Sequence, residues 1–407
     1  MWIRIRRHVQ VVVTLLMMLA GTSPAWAQKV TTVPDLTGKQ VLIQLANPAT
    51  AASVGEIIAS MAAAEIATAP FGTSSGGFVF KLDPSTGLLA RTTTTFGPSF
   101  TERALTSGEG AISVGATFSY TKYDKLSDFS LTSLPMGTVT ATTPLATGTT
   151  TGNLEVTSNT LAISGTVGVT PNFDVGVVVP LVTVKLSGTS TLINGNGAAA
   201  RVATTDSIFS GLGDIAAIAK YRFFKFKGPD LPDPGGLALY VVARMPTGDR
   251  DNLRGLGVTR TLASAVFSMG RGAVRPHGSV GFEYWSKSAD VLNGTGDVSL
   301  RHQFQYAGGI EVYAAPKLTL LVDFLGQRIM GGGPVELGPV TPVGAGGIVS
   351  TQSLNILEDG ISKALFVPGL KVNLKGKLVL SLNALITITN NGLHSKVTPA
   401  AGINLTM

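Results

Sequence analysis

The residues of this chain that are most able to do chemistry do not form a recognisable catalytic motif. Residues 72–76 read Gly-Thr-Ser-Ser-Gly and fit the Gly-x-Ser-x-Gly pattern of serine hydrolases. In those enzymes the serine lies on a sharp turn between a strand and a helix, whereas this stretch is rich in Ser, Thr and Gly and follows a predicted helix. A structural connection is the better interpretation of the motif.

The histidines give no sign of a catalytic or metal site either. Beyond the first residues the chain holds only His277, His302 and His394, which are far apart, and it contains no cysteine. Zinc sites of histidine and cysteine need closely spaced ligands. We therefore predict that the protein is not an enzyme and that it uses no metal and no cofactor.

Charged side chains recur on one face of the predicted strands, and this face is the candidate lining of a lumen. Both signs occur there together, so strong ion selectivity is not predicted. The charges either fill a narrow lumen with salt bridges or form a constriction that selects a permeant by charge and size. The candidate residues are Lys220, Arg222, Arg244, Glu283, Arg301, Glu311 and Asp323.

The strands that position these residues are predicted from apolar and polar residues that alternate from Gly110 onward. Ile112, Val114 and Ala116 share one face of the first strand, while Ser113 and Gly115 share the other. The alternation predicts about twelve strands, at 110–123, 155–170, 173–186, 210–226, 235–246, 259–270, 273–287, 299–314, 317–330, 362–374, 376–389 and 396–407.

The connections between these strands alternate between long loops and tight turns, which is the layout of bacterial outer-membrane barrels. The short set is no longer than Lys227–Pro234. Two of the long connections, Thr138–Thr151 and Gly331–Gly347, are rich in Thr, Ser and Gly and are expected to be flexible. The long connections are 124–154, 187–209, 247–258, 288–298, 331–361 and 390–395.

Composition agrees with a membrane barrel. The chain is 44% hydrophobic and 14% charged, against about a quarter charged in soluble domains. Its longest apolar run after the N-terminus, 175–184, is interrupted by Pro180 and Thr183 and is too short for a membrane helix. The predicted fold class is all-β, a transmembrane antiparallel β-barrel of about twelve strands with a short N-terminal helical and hairpin segment.

Three regions follow from these patterns. Residues 1–27 read as a signal peptide, with three arginines, an apolar run and Ala25-Trp26-Ala27 before the cleavage point. Residues 28–105 contain a predicted helix over 54–66 and a hairpin around the turn 83–87, and could form either a plug or a periplasmic cap. Residues 106–407 form the predicted barrel.

Short motifs connect the barrel region to a known family. They are Phe96-Gly97-Pro98-Ser99-Phe100-Thr101-Glu102-Arg103-Ala104, Gly211-Leu212-Gly213-Asp214, Lys220-Tyr221-Arg222-Phe223 and Met245-Pro246-Thr247-Gly248-Asp249. Across most of residues 96–407 the chain resembles the outer-membrane transporter family named after the meta-pathway of phenol degradation. The resemblance implies a porin-like barrel whose members are expected to admit small organic molecules, such as aromatic compounds, and it does not identify a substrate.

Together these observations predict an outer-membrane porin-like channel for passive uptake of small organic molecules, including aromatic or hydrophobic ones. The alternative is a plugged or structural barrel without transport activity. The expected location is the outer membrane of a Gram-negative bacterium, and the expected partners are outer-membrane lipids, a small-molecule permeant and the barrel-assembly machinery. No nucleic-acid partner is expected, because the Lys and Arg residues are scattered.

Overall fold

A computed structural model describes the fold of most of the chain beyond the predicted signal peptide, which lies outside the described residues. Within the described residues, no helix is long and apolar enough to cross a membrane. The described ranges are 36–46, 52–73, 80–82, 89–91, 93, 95–142, 145–194, 197, 199–227, 233–293, 296–339, 348–375 and 377–407.

Twelve antiparallel strands form a closed barrel, so the predicted fold class and strand number are confirmed. Each strand pairs with its neighbours in sequence, and β12 pairs with β1 to close the circle. The strands are β1 Ile112–Tyr123, β2 Leu145–Thr170, β3 Phe173–Asn194, β4 in two stretches Ala199–Leu212 and Ala216–Lys225, β5 Gly235–Arg244, β6 Arg260–Met269, β7 Val274–Trp285, β8 Gly296–Ala315, β9 Leu318–Met330, β10 Ile361–Lys375, β11 Leu378–Thr387 and β12 Val397–Thr406.

The connections divide between the two ends of the barrel as predicted, but the long connection predicted at 187–209 is mostly strand, because β3 runs to Asn194, β4 begins at Ala199 and the two pair there. One end, called the short-turn end, carries tight turns such as 171–172 and 316–317, together with both termini of the strand circuit. The other, called the long-loop end, carries connections such as 245–259 and 331–360. In bacterial barrels the short turns face the periplasm and the long loops face outward.

The prediction that residues 138–151 form a flexible connection is wrong for most of that stretch. Strand Leu134–Thr142 pairs with the beginning of β2, and Ile348–Ile356 pairs with Leu134–Thr142 on its other side. Threonine is β-branched and favours extended backbone, so a threonine-rich stretch with a neighbouring partner strand extends the sheet. Residues 143–144 and 340–347 lie outside the described residues.

Short strands and one turn lie at the long-loop end. Val335–Gly338 pairs with Ile348–Ile356, and Ala289–Asn293 pairs with the beginning of β8. The remaining short elements are Lys125–Leu126, Phe129–Ser130, the 3-10 turn Leu131–Ser133 and Leu393–His394.

Two helices and a small hairpin precede the barrel. Helix α1, Gly38–Leu45, has a capping box in which the Thr37 hydroxyl accepts from the Gln40 amide and the Gln40 side chain accepts from the Thr37 amide. Helix α2, Ala52–Thr68, contains the helix predicted over 54–66. Strands Phe80–Leu82 and Leu89–Arg91 pair as the predicted hairpin.

Both helices lie within the long-loop end of the barrel. The α1 backbone binds the loop after β5, where the Lys39 amide donates to the Asp251 carbonyl at 2.8 Å. Apolar side chains of α2, including Ile57, Ile58 and Met61, are fully buried in one cluster with residues of the surrounding strands. Burial of this kind stabilises the helices against the wall by about 1.5–3 kcal/mol per large side chain.

Candidate functional site

The outer surface of the barrel is apolar along its strands. Phe282 and Tyr284 on β7 are 41% and 55% exposed, and Tyr306 on β8 and Phe324 on β9 are each 52% exposed. Such rings would be costly to expose to water in a row, whereas an apolar outer band is what a bilayer requires. The chain is an outer-membrane β-barrel.

The inward face carries most of the charged residues that the sequence singled out. Six of the seven candidates are buried inside the lumen, each in contact with an oppositely charged side chain, a histidine or a backbone amide. These contacts are Lys220 with Glu102, Arg222 with Asp233, Arg244 with Glu283, Glu283 with Arg260, Glu311 with the Gly97 amide and Asp323 with His277.

Arg301 is the candidate that the structure places elsewhere, because its side chain is exposed on the outer side of β8. The register of β8 against β9 shifts between Arg301 and Gln303, and His302 has a φ of 39°. A bulge of this kind inserts one residue and reverses the alternation of faces. Leu300 before it and Gln303 after it therefore both point inward and are fully buried.

At the long-loop end, one arginine ties α2 to the wall. Arg260 is completely buried, and its Nη2 donates to the Ala67 carbonyl at 2.9 Å and to Asp214 at 3.1 Å. Its Nη1 donates to Glu283 at 3.3 Å. A cation at the last turn of a helix interacts favourably with the free carbonyls there. Lys363 adds a second contact, to Glu65 of α2.

At the short-turn end, residues 95–107 cross the lumen and are held along their length. The Gly97 amide donates to Glu311 at 3.0 Å, and Lys371 donates to the Pro98 carbonyl at 2.7 Å. Further along, the Ala104 amide donates to Ser268 at 3.0 Å. These contacts hold an otherwise irregular backbone, whose polar groups need partners when buried.

The same stretch contributes its own charges. Glu102 accepts from Lys220 at 3.0 Å, Arg103 lies 3.9 Å from Glu311, and the Ser107 amide donates to Asp174 at 2.8 Å. Buried carboxylates and cations are stable only when paired in this way. Residues 95–107 are thus bound to the wall by charge-assisted bonds on several strands.

Between these two polar clusters lies a cavity of about 170 Å³, here called the central chamber. Part of its lining comes from the N-terminal segment and part from the wall. The N-terminal segment contributes Phe71 and Phe100, and the wall contributes Tyr240, Val242 and Leu262. Hydroxyl groups also line the chamber, from Ser119, Thr121, Ser158, Thr160, Ser264, Ser279, Thr387 and Thr398.

Four residues of the lumen were not predicted as site residues from the sequence: Arg260, Glu102, Arg103 and Phe71. Arg260 lies in the strand predicted at 259–270, and the alternation of faces along that strand would have placed its side chain inward. Glu102 and Arg103 lie in the family-like motif 96–104, but nothing in the sequence places that motif inside the lumen. Phe71 carries no sequence signal, since its position depends on where α2 ends.

Of the Gly-Thr-Ser-Ser-Gly motif the structure describes the first two residues. Gly72 and Thr73 lie in the lumen, and the Thr73 amide donates to the Ser99 carbonyl at 3.0 Å. Residues 74–76 lie outside the described range. His302 stacks on Tyr284 on the outer face, and the described part of the chain holds no cluster suited to a metal ion.

Comparison with known proteins finds distant structural likeness. An outer membrane channel from Pseudomonas putida F1 is 11% identical, with a TM-score of 0.43 over 75% of this chain and 98% of that one. A monoaromatic hydrocarbon channel is 10% identical, with a TM-score of 0.29 over 74% and 89% of the two chains. A FadL homologue from Pseudomonas aeruginosa is 12% identical, with a TM-score of 0.30 over 84% and 96%.

No protein-family model matches the chain, and no curated protein matches its sequence. At these identities and TM-scores, the structural likenesses assign neither a family nor a cargo. The resemblance to the phenol meta-pathway family therefore stays a prediction.

Proposed function

We propose that this protein is an outer-membrane channel for passive uptake of small organic molecules, and that its N-terminal segment acts as a plug that regulates passage. The observation that supports this proposal is the central chamber, which remains inside a lumen otherwise filled by that segment. An apolar cavity of about 150 Å³ is large enough for benzene. The chamber, at about 170 Å³, is therefore the size of a single-ring compound.

Passage requires movement of the segment. Residues 95–107 cross the lumen on the short-turn side of the chamber, and α2 lies on its long-loop side. Polar contacts hold residues 95–107, whereas α2 is held by apolar packing as well as by polar contacts. A plug that shifts by releasing some of these bonds would open a path without unfolding the barrel.

A disulfide between the plug and the wall tests this mechanism. The Ala104 amide lies 3.0 Å from the Ser268 hydroxyl, which places the two residues close enough for the double variant A104C/S268C to form a disulfide. The chain has no native cysteine to interfere. We expect discrete conductance steps in planar bilayers when the pair is reduced, and at least about a tenfold lower conductance when it is oxidised.

The matched control is S113C/T406C, which joins β1 to β12 across hydroxyls 3.1 Å apart and so links wall to wall. Oxidation of this pair should leave conductance unchanged. Equal conductance of the oxidised and reduced A104C/S268C protein would contradict a moving plug.

A plugged or structural barrel is the second candidate, and the number of buried contacts along 95–107 favours it. In that case the refolded wild-type protein migrates as a heat-modifiable barrel but does not conduct, and A104C/S268C conducts in neither redox state. Block of the conductance steps by benzyl alcohol would argue for the channel, and a silent barrel would argue for the structural role.

A further inference from the structure

We infer that the central chamber is a binding site for a neutral single-ring compound that carries an oxygen acceptor, and that Arg244 donates the hydrogen bond that selects it. This inference deepens the proposed function, since it names the class of molecule that the channel would hold. It rests on the proposed function only in requiring that solutes reach the chamber.

Arg244 is a charged group of the chamber with unused hydrogen-bonding capacity. Its side chain is 8% exposed and lines the chamber, yet its Nε and Nη1 atoms have no hydrogen-bond partner. Its contact with Glu283 is an ion pair at 3.8 Å, which is too long for a hydrogen bond. Buried donors in proteins nearly always have an acceptor, so an acceptor belongs here.

The surroundings of Arg244 favour a ring. Its guanidinium lies 4.7 Å from the centre of the Phe71 ring, and this cation–π contact holds the head group at the edge of the chamber. Phe71 and Tyr240 both pack against the apolar wall cluster that includes Val242 and Leu262. A ligand ring would bury its apolar surface against these side chains while its oxygen faces Arg244.

The charges indicate that the ligand is neutral. Each charged side chain that lines the chamber already has an opposite charge close by: Glu65 has Lys363, Glu102 has Lys220 at 3.0 Å, and Arg244 has Glu283 at 3.8 Å. A carboxylate would add a buried charge with no counterion of its own, which is unfavourable. A ketone, ester or phenol oxygen accepts the bond without that cost.

Two ligands of nearly the same shape isolate the hydrogen bond. Acetophenone and α-methylstyrene differ only in a carbonyl oxygen against a methylene group. We would titrate each into the refolded chain that begins at Gln28, by isothermal calorimetry with micelle-only blanks. Because a hydrogen bond to a charged donor is stronger than one between neutral groups, acetophenone should bind about tenfold more tightly. Benzoate should bind more weakly than acetophenone.

Variants assign the preference to the arginine. R244M should bring the ratio of the two affinities to about one, and it should leave the affinity for α-methylstyrene within about twofold. R244K keeps the charge near Glu283 but loses the planar fork, so it should retain only part of the preference. R328M, which alters an exposed arginine, should behave as wild type.

The outcomes separate this inference from the channel proposal. A wild-type protein that binds the two ligands equally, or benzoate most tightly, would overturn the inference whether or not R244M folds. Conductance with no preference would leave the channel standing without this site. A preference that R244M removes, in a barrel that does not conduct, would establish the site and refute transport.

Discussion

Replacing Arg260 with methionine should release α2 from the barrel wall while leaving the barrel intact. Arg260 is completely buried and is the residue that joins the C-terminal turn of α2, through the Ala67 carbonyl, to Asp214 and Glu283 of the wall. Methionine has similar length and is apolar, so the packing is largely kept and the polar links are lost.

The free-energy cost of R260M depends on the contacts that Glu283 and Asp214 keep without the arginine. Without Arg260, Glu283 keeps Arg244 at 3.8 Å and the Trp285 indole at 3.0 Å, and Asp214 keeps the Gly248 amide at 3.1 Å. Since breaking a buried pair costs about 3–5 kcal/mol, the lower end of that range applies here. A cost of about 3 kcal/mol raises the equilibrium constant for local opening of α2 by about a hundredfold.

Hydrogen–deuterium exchange measures this opening directly. In R260M, amides of residues 56–68 should exchange about a hundred times faster than in wild type, and amides of β6 and β7 should exchange at the wild-type rate. Emission from Trp285, which is the one tryptophan left after residues 1–27 are removed, should shift to the red as its surroundings become wetter. Exposed Arg328 supplies the control R328M.

Unchanged exchange of α2 in R260M would refute the view that this arginine holds the helix in place. Equal acceleration of the strands and the helix would also refute it, because the substitution would then have destabilised the barrel as a whole.

Three further predictions test other parts of the structure. G168A should lower the melting temperature by several degrees, because a Cβ at Gly168 would lie 1.7 Å from the Gly108 carbonyl oxygen. The control G165A should change the melting temperature little, because a Cβ at Gly165 would have no atom within 4 Å. R301A should leave stability and conductance within error of wild type, since Arg301 is exposed outside the lumen, and a loss of conductance would return it to the channel lining. Partial burial pushes the pKa of Asp249 upward, but hydrogen bonds from Asn252 and Asp251 and the charge of Arg254 outweigh burial and lower this pKa. The hydrogen bonds that Asp249 accepts should therefore hold loop 245–259 in place above about pH 4 and be lost as pH falls through the lowered pKa. An acid-stable protease should then cut the wild-type loop progressively faster below that pH. The rate at which it cuts D249N should depend less on pH.

The barrel was predictable from the sequence because apolar and polar residues alternate along its strands. A residue such as Phe282 must face lipid once Glu283 faces the lumen, and this local rule holds for most of the wall. It failed for Arg301, because the bulge at His302 that reverses the alternation of faces has no signature in the sequence.

The position of the N-terminal segment was not predictable, because nonlocal bonds determine it. Gly97 binds Glu311 from 214 positions away, and Arg260 reaches Ala67 across 193. Neither the glycine nor the arginine has a sequence pattern that predicts its distant partner. Helix α1 could have been found, since Thr37 and Gln40 have the spacing of a capping box.

The location of residues 36–73 and 95–107 inside a closed circuit of strands has a consequence for how the molecule is assembled. The seam between β1 and β12 joins residues such as Ser113 and Thr406, which are 293 positions apart, so it depends on nearly the whole chain having been synthesised. Contacts of such long range form slowly. Pairing of β12 with β1 would therefore be a late step, and it would enclose residues 36–73 and 95–107 within the barrel.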